Sequence, residues 1–255
     1  MRRLRLGAGL VVAIVLVSGC LPAPASSQAR AISELWTAFV VAAAIVGGVV
    51  WGLITIALVR FRRRAREAQI PPQFADARRL EIAWTAIPIA IVIGLFWLTL
   101  GALGRIEARA PGAVEVDVAA FRWQWRFDYP ASGVSVTGLP DAPAEMVVPV
   151  GEPIHIVLGS SDVIHSFYVP AFLFKRDTIP GRTTEFDLTI AEPGAYGGQC
   201  AEFCGVFHDR MTLTVRAVSP AEFEAWLAAR RGAGASLPRP SGSGAPVAGP
   251  SASAP

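Results

Sequence analysis

The chain has 255 residues, is 53% hydrophobic and only 17% charged, and carries a formal net charge of +3. A hydrophobic share above the usual ~45–50% argues against a disordered or fully solvated polypeptide. The charge is unevenly divided: from Arg105 to Arg230 ten Lys and Arg stand against sixteen Asp and Glu, a net of −6. An acidic half argues against a nucleic-acid partner and for a basic protein partner.

Residues 1–20 open with Arg2, Arg3 and Arg5, run through apolar Leu10 to Val17 and close on Val-Ser-Gly-Cys. That is the layout of a secretory signal peptide. The ending on Cys20 resembles a bacterial lipobox, in which the signal is removed and the Cys becomes a lipidated first residue. The alternative is an ordinary signal whose Cys is incidental. Either way the mature N-terminus is exported.

Residues 21–104 then form a transmembrane hairpin. Leu35 to Val59 is an uncharged apolar run, close to the ~20 residues that cross a hydrocarbon core. Seven arginines follow in one short loop, in Arg60-Phe-Arg-Arg-Arg-Ala-Arg66 and at Arg78 and Arg79. The positive-inside rule puts that loop in the cytoplasm. Ile82 to Leu103 returns outward, with Pro88 as a candidate kink, so both ends of the mature chain lie outside. Glu81 sits at the cytoplasmic mouth of this second span, where a carboxylate suits a helix N-terminus.

From Val114 the pattern changes to short β-type segments: Val114–Ala119, Trp123–Tyr129, Met146–Val150, Ile154–Leu158, Thr184–Ile190 and Met211–Val218. Pro, Gly, Asp and Ser clusters separate them, which is the spacing of an antiparallel sandwich or barrel. Ser219-Pro220-Ala-Glu222 reads as a capping box starting a helix that ends near Gly232. The sandwich domain is therefore 105–231. The Gly/Ala/Ser/Pro stretch 232–255 has a disordered composition.

The densest chemistry lies in Cys-Ala-Glu-Phe-Cys-Gly-Val-Phe-His-Asp-Arg-Met, from Cys200 to Met211. Thiolates, imidazole and thioether form a soft donor set that suits copper. His165, in Ser-Ser-Asp-Val-Ile-His-Ser-Phe after a predicted strand, adds a second imidazole from a loop. A Cys200–Cys204 disulfide is the default in an oxidising compartment, but it leaves the spacing of His208 and Met211 without a reason. A Cys2His2 zinc site is allowed by the donor count, though zinc has little use for Met211. A blue-copper centre needs one Cys, two His and a weak Met, which leaves one cysteine over. Two cysteines fit better as thiolates bridging two coppers.

The motif Cys-x-Glu-x-Cys-x-x-x-His-x-x-Met, with the upstream Ser-x-Asp-Val-x-His-Ser-Phe, resembles subunit II of the haem–copper cytochrome c oxidases. The resemblance runs from about Leu35 to Arg230 and includes Lys175-Arg-Asp-Thr-Ile-Pro-Gly181. It implies a two-helix transmembrane hairpin followed by an all-β cupredoxin-like sandwich with a binuclear copper centre, CuA. By this resemblance Cys200 and Cys204 are bridging ligands, His165 and His208 terminal ligands, and Met211 and the Glu202 carbonyl weak outer ligands. The Glu202 side chain would also serve a magnesium ion shared with subunit I. Trp123, in Phe121-Arg-Trp-Gln-Trp-Arg-Phe, aligns with the tryptophan through which electrons arrive, although Trp123 and Trp125 also read as strand residues buried on one face. Glu81 matches the mouth of a proton pathway, and Asp162 a docking contact for cytochrome c. His155, inside a strand and matching no ligand, reads as structural.

The implied function is acceptance of electrons from a cytochrome c and their transfer to haem in subunit I, where oxygen is reduced and protons are pumped. Absence of Cys-x-x-Cys-His means that this chain holds no covalent c-type haem, so the donor is a separate molecule. Two other readings are a relay feeding a nitric oxide reductase and a membrane-tethered copper carrier. Quinol-oxidase subunit II shares the fold but lacks the copper ligands. The implied location is a bacterial plasma membrane, with other oxidase subunits as partners.

Overall fold

The computed structural model describes residues 21–62, 73, 75–139 and 142–235. Residues 1–20, with Cys20, most of the arginine loop and the stretch from 236 onward lie outside them. Two long helices come first, α1 over Ser27–Arg60 and α2 over Arg78–Ile106. Ser26 caps α1 by accepting the Ala29 N–H at 3.0 Å, a standard way to satisfy an orphan helix donor. At ~1.5 Å per residue the helices are about 51 and 44 Å long, so each overshoots a ~30 Å hydrocarbon core at its ends. α2 passes through Pro88 without a break.

The middle of both helices is apolar on every side and covered by almost nothing in the chain: Trp51 is 70% exposed, Val59 76% and Trp97 66%. Such surface is stable only in lipid or against another membrane protein. Glu34 and Arg105 meet at 3.2 Å and tie the outer ends of the two helices together.

The remainder is a β-sandwich of two five-stranded sheets, ordered β3-β2-β1-β5-β8 and β4-β10-β9-β6-β7. Their ranges are β1 Val114–Phe121, β2 Gln124–Tyr129, β3 Val134–Thr137, β4 Ala144–Pro149 and β5 Pro153–Ser160. They continue with β6 His165–Val169, β7 Phe174–Thr178, β8 Thr184–Thr189, β9 Gly194–Cys200 and β10 Thr212–Val218. Alternation sets the faces: Val116, Val118 and Ala120 of β1 and Ile154, Ile156 and Leu158 of β5 point inward and are buried, while Glu115, Asp117 and His155 lie on the other face. Trp125, Phe127, Phe167 and Leu213 fill the space between the sheets, each contributing about 1.5–3 kcal/mol by leaving water. The Tyr129 hydroxyl donates to the Val147 carbonyl and accepts the Val147 N–H, both at 2.8 Å, and so closes the free edge of β4.

The capping box forms as predicted, with Ser219 N–H donating to Glu222 at 2.9 Å and Glu222 N–H to Ser219 Oγ at 3.3 Å. It opens α3, Pro220–Ala235, which runs three residues past Gly232. Strands β3, β6, β7 and β9 are additions to the predicted set. β3, β6 and β7 are short, and charges in β7 (Phe-Lys-Arg-Asp-Thr) and glycines in β9 (Gly-Ala-Tyr-Gly-Gly-Gln-Cys) break the apolar alternation. Two local expectations change. His165 is the first residue of β6 and not a loop residue, and Trp123 lies in the turn between β1 and β2 and not in a strand beside Trp125.

Candidate metal centre

Three pieces of backbone converge at one end of the second sheet. β9 ends on Cys200, β6 begins at His165, and the loop from Ala201 to Met211 folds back over them before β10 starts. The Cys200 N–H donates to the Met211 carbonyl at 2.9 Å, and the Ala201 N–H to the Ser166 carbonyl at 3.1 Å. These bonds close the loop on its own base.

The donors form a chain in space. His165 Nδ1 lies 3.8 Å from Cys200 Sγ, Cys200 Sγ lies 3.9 Å from Cys204 Sγ, and Cys204 Sγ lies 3.5 Å from His208 Nδ1. Met211 Sδ joins at 3.8 Å from Cys204 Sγ, and the Glu202 carbonyl is 3.2 Å from Cys200 Sγ. The donor atoms of His165, Cys200 and Cys204 all lie within 4.8 Å of one another and can hold a metal ion together. A sulfur–sulfur separation of 3.9 Å is nearly twice that of a disulfide, and both thiols are free. The disulfide alternative is thereby excluded for this state.

Burial makes the set selective. His165 is fully buried, and Cys200, Cys204 and Met211 are at most 5% exposed. Burial raises the Cys200 thiol, but its bonds to His165 and the Glu202 carbonyl outweigh that and bring it down to about 6. Burial and the charge on Cys200 push Cys204 the other way, up to about 12. Without a metal the pair thus carries one negative charge, and a cation is what allows the second thiol to ionise. The His165 imidazole is raised: burial opposes its charge, and Cys200 and Asp162 favour it more strongly.

Asp162, expected as a docking contact, is engaged inside the chain. Its Oδ1 lies 2.9 Å from His165 Nε2 and accepts the Val163 N–H, while Oδ2 accepts the Arg122 N–H at 2.7 Å. Burial acts to raise this carboxyl, but His165 and the Arg122 and Val163 amides prevail and hold it down to about 2. An ionised carboxylate only accepts, so Nε2 carries a hydrogen, and Nδ1 is the nitrogen on the sulfur side that is left to bind a metal. The signal for this was in the sequence: an Asp three residues before the His.

Trp123 touches the same loop. Its indole Nε1–H donates to the Cys204 carbonyl at 3.2 Å, and its ring stands edge-on to Phe207 with centroids 4.9 Å apart. Glu202 turns its carboxylate away from the sulfurs toward Lys175, which also holds Asp177 at 3.3 Å. Sequence reasoning missed Lys175, since a contact across 27 positions leaves no local mark. Phe203 and Val206, each at least 80% exposed, make an apolar rim outside the donors. Glu81 is remote from all of this. It accepts the Ala77 N–H at 3.2 Å at the start of α2.

Two lipid-compatible helices joined to a cupredoxin-like sandwich, with soft donors at one end, define a membrane protein built to hold a soft metal ion. Residues 134–218 match the family of the periplasmic domain of cytochrome c oxidase subunit II, and residues 15–100 match that of its transmembrane domain. A probable cytochrome c oxidase subunit 2 from Nocardia farcinica is 31% identical, over 91% of this chain and 82% of its own length. That from Streptomyces coelicolor is 33% identical, over 86% and 83%. The solved periplasmic domain of subunit II of the cytochrome oxidase of Bradyrhizobium japonicum is 32% identical, over 49% of this chain and 99% of that one, with a TM-score of 0.46. The chain belongs to the cytochrome c oxidase subunit 2 family.

Proposed function

We propose that this chain is the electron-accepting subunit of a haem–copper terminal oxidase, and that its soft-donor site holds the binuclear copper centre CuA. The observation that carries this reading is the linear order His165, Cys200, Cys204, His208, with two free thiols 3.9 Å apart at its middle. Cys200 and Cys204 would supply the two thiolates, His165 and His208 the two imidazoles, and Met211 and the Glu202 carbonyl the weaker donors. Bound there, two coppers supply a one-electron carrier whose charge is shared over both ions.

The protein's own part is to keep that site rigid and dry. Buried β6, β9 and β10 fix the donors, Asp162 sets the His165 tautomer, and the 201–211 loop is closed at its base. Trp123, hydrogen-bonded to the Cys204 carbonyl, offers the route inward from a cytochrome c docked over the apolar rim. The net −6 of residues 105–230 attracts a basic donor, through a field that salt screens, with Asp162 at its margin. Electrons pass to haem in subunit I, where oxygen is reduced with proton pumping. The Glu202 carboxylate, paired with Lys175 here, would be the group to hold a magnesium ion shared with subunit I, and Glu81 stands at the mouth of a proton pathway.

The accompanying topology has a signal peptide over 1–20 with Cys20 lipidated, a hairpin over 21–104, the copper domain over 105–231 outside the plasma membrane, and the tail 232–255. Metal analysis of the full-length chain tests the core of this reading. Two coppers per chain with the absorption of a mixed-valence thiolate pair are expected; one copper, or zinc retained against copper, overturns it.

A further inference from the structure

We propose that His155 and Asp187 form a latch that fixes the height and tilt of the sandwich over the membrane hairpin. Strand β8 and the residues that follow it receive the chain at both ends of the hairpin. At the start of α1, Ala25 accepts the Ala191 N–H at 3.1 Å, its own N–H donates to the Ala171 carbonyl at 2.9 Å, and Gln28 in the first turn of the helix accepts the N–H of Thr189, the last residue of β8, at 3.3 Å. After α2, the linker of residues 107–113 meets β7 and β8 through three contacts. These are Glu107 with Arg176, Arg109 with Glu185, and the Ala110 N–H with Asp187 Oδ2 at 2.6 Å. Two attachments on one strand hold a rigid body against rotation, whereas one leaves it free to tilt.

Magnitudes decide which linker contact matters. The Glu107–Arg176 and Arg109–Glu185 pairs are between a third and two-thirds exposed, and ion pairs in water contribute little. Asp187 is only 5% exposed, and a buried carboxylate must be satisfied on both oxygens. Its second oxygen, Oδ1, lies 2.6 Å from Nδ1 of His155, its direct cross-strand partner. A carboxylate accepts only, so Nδ1 carries the hydrogen. Asp187 is then a bridge, with one oxygen on the linker and one on β5. His155 Nε2 faces Glu185 at 3.6 Å, and the buried Arg176 Nε–H beside them has no protein partner. If His155 is removed, the cheapest rescue for Asp187 is to swing toward the Arg176 Nε–H, and Ala110 is released. His155 is a positioning residue: it lies on the outer face of the first sheet, away from the sulfurs, and acts through the linker.

The test uses the full-length chain in its assembled complex and reads hydrogen exchange of residues 107–113, the copper absorption and turnover with cytochrome c. Only the turnover rests on the electron-relay reading; the exchange result judges the latch even if no copper spectrum is found. His155→Ala should speed exchange at Ala110 by about tenfold, the protection that one hydrogen bond of ~1.4 kcal/mol gives. His155→Gln, which keeps a donor, should restore most of it, and Glu107→Gln should leave it unchanged. Turnover should fall several-fold in His155→Ala with the copper absorption intact. Should His155→Ala not assemble, Ala110→Pro deletes the N–H, while also fixing φ at that residue, and should reproduce the turnover loss. Unchanged exchange at Ala110 in His155→Ala, equal acceleration throughout the sandwich strands, or full turnover in Ala110→Pro overturns the latch.

Discussion

The Asp162 carboxylate lies 2.9 Å from His165 Nε2 and simultaneously accepts the backbone N–H of Arg122 at 2.7 Å. One side chain therefore aims a buried donor of the candidate metal site and pins the β1–β2 turn that carries Trp123. The donor set and the aromatic route to it are not independent parts, and a change at Asp162 reaches both.

Asp162→Asn follows directly from this. Asparagine keeps the size but loses the charge that holds the proton on Nε2, so the lone pair at Nδ1 is no longer guaranteed. Copper affinity should fall about 10–100-fold, the usual cost of losing a carboxylate behind a ligating imidazole. A competition titration of the full-length chain against a copper chelator measures it; an unchanged affinity would mean that packing alone orients His165. The metal-free protein adds a pH signature. The Asp162 carboxyl is depressed from 3.8 to about 2, so its contribution to stability is complete above about pH 4 and is lost as the pH falls toward 2. Asp162→Asn should be less sensitive to acid across that window, measured by unfolding at stepped pH.

The two thiols make a second pair whose behaviour can be separated. Cys204 is pushed up to about 12, first by burial and then by the charge on Cys200. In Cys200→Ser the charge disappears and the burial stays, so Cys204 should ionise at lower pH than in the parent yet still above an ordinary thiol. Thiolate absorbance of the metal-free chain followed against pH gives the answer directly. A Cys204 titration that does not move would show that burial alone governs it.

The main architecture was legible because the physics behind it is local. Uncharged runs bounded by arginines announced the two helices, and alternation at Val116, Val118 and Ala120 announced β1. The soft donors were legible as a set, since twelve residues from Cys200 to Met211 contain most of them. What stayed hidden depended on contacts between distant segments. Gly194, Gly197 and Gly198 leave β9 too few side chains to show a period. His165 opens a five-residue strand too short for a pattern, and Lys175 finds Glu202 only once β7 and the loop are folded.

Tyr129 provides a prediction away from the metal. Its hydroxyl satisfies both the N–H and the C=O of Val147 at 2.8 Å on the free edge of β4, and it is only 3% exposed. Tyr129→Phe leaves both backbone groups without a partner at a position that water reaches poorly. The cost should be about 1–3 kcal/mol, seen as a lower denaturation midpoint with the metal absorption unchanged. A loss of copper with no change in midpoint would contradict the assignment of Tyr129 to the sheet edge.

Gly205 and Trp123 test the aromatic route. Gly205 has φ +118°, a conformation closed to residues with a side chain, and a Cβ there would lie 3.3 Å from Trp123 Nε1. Gly205→Ala should therefore strain the loop by about 1–3 kcal/mol and displace the indole from the Cys204 carbonyl. Trp123→Phe removes the same hydrogen bond without touching the loop backbone. If the route runs through Trp123, both variants slow electron uptake from cytochrome c, and only Gly205→Ala lowers stability appreciably. Stopped-flow reduction of the copper-loaded protein, set beside thermal unfolding, separates the two effects. Equal uptake rates in Trp123→Phe and the parent would mean that electrons arrive by another path, such as directly across the half-buried His208 side of the site.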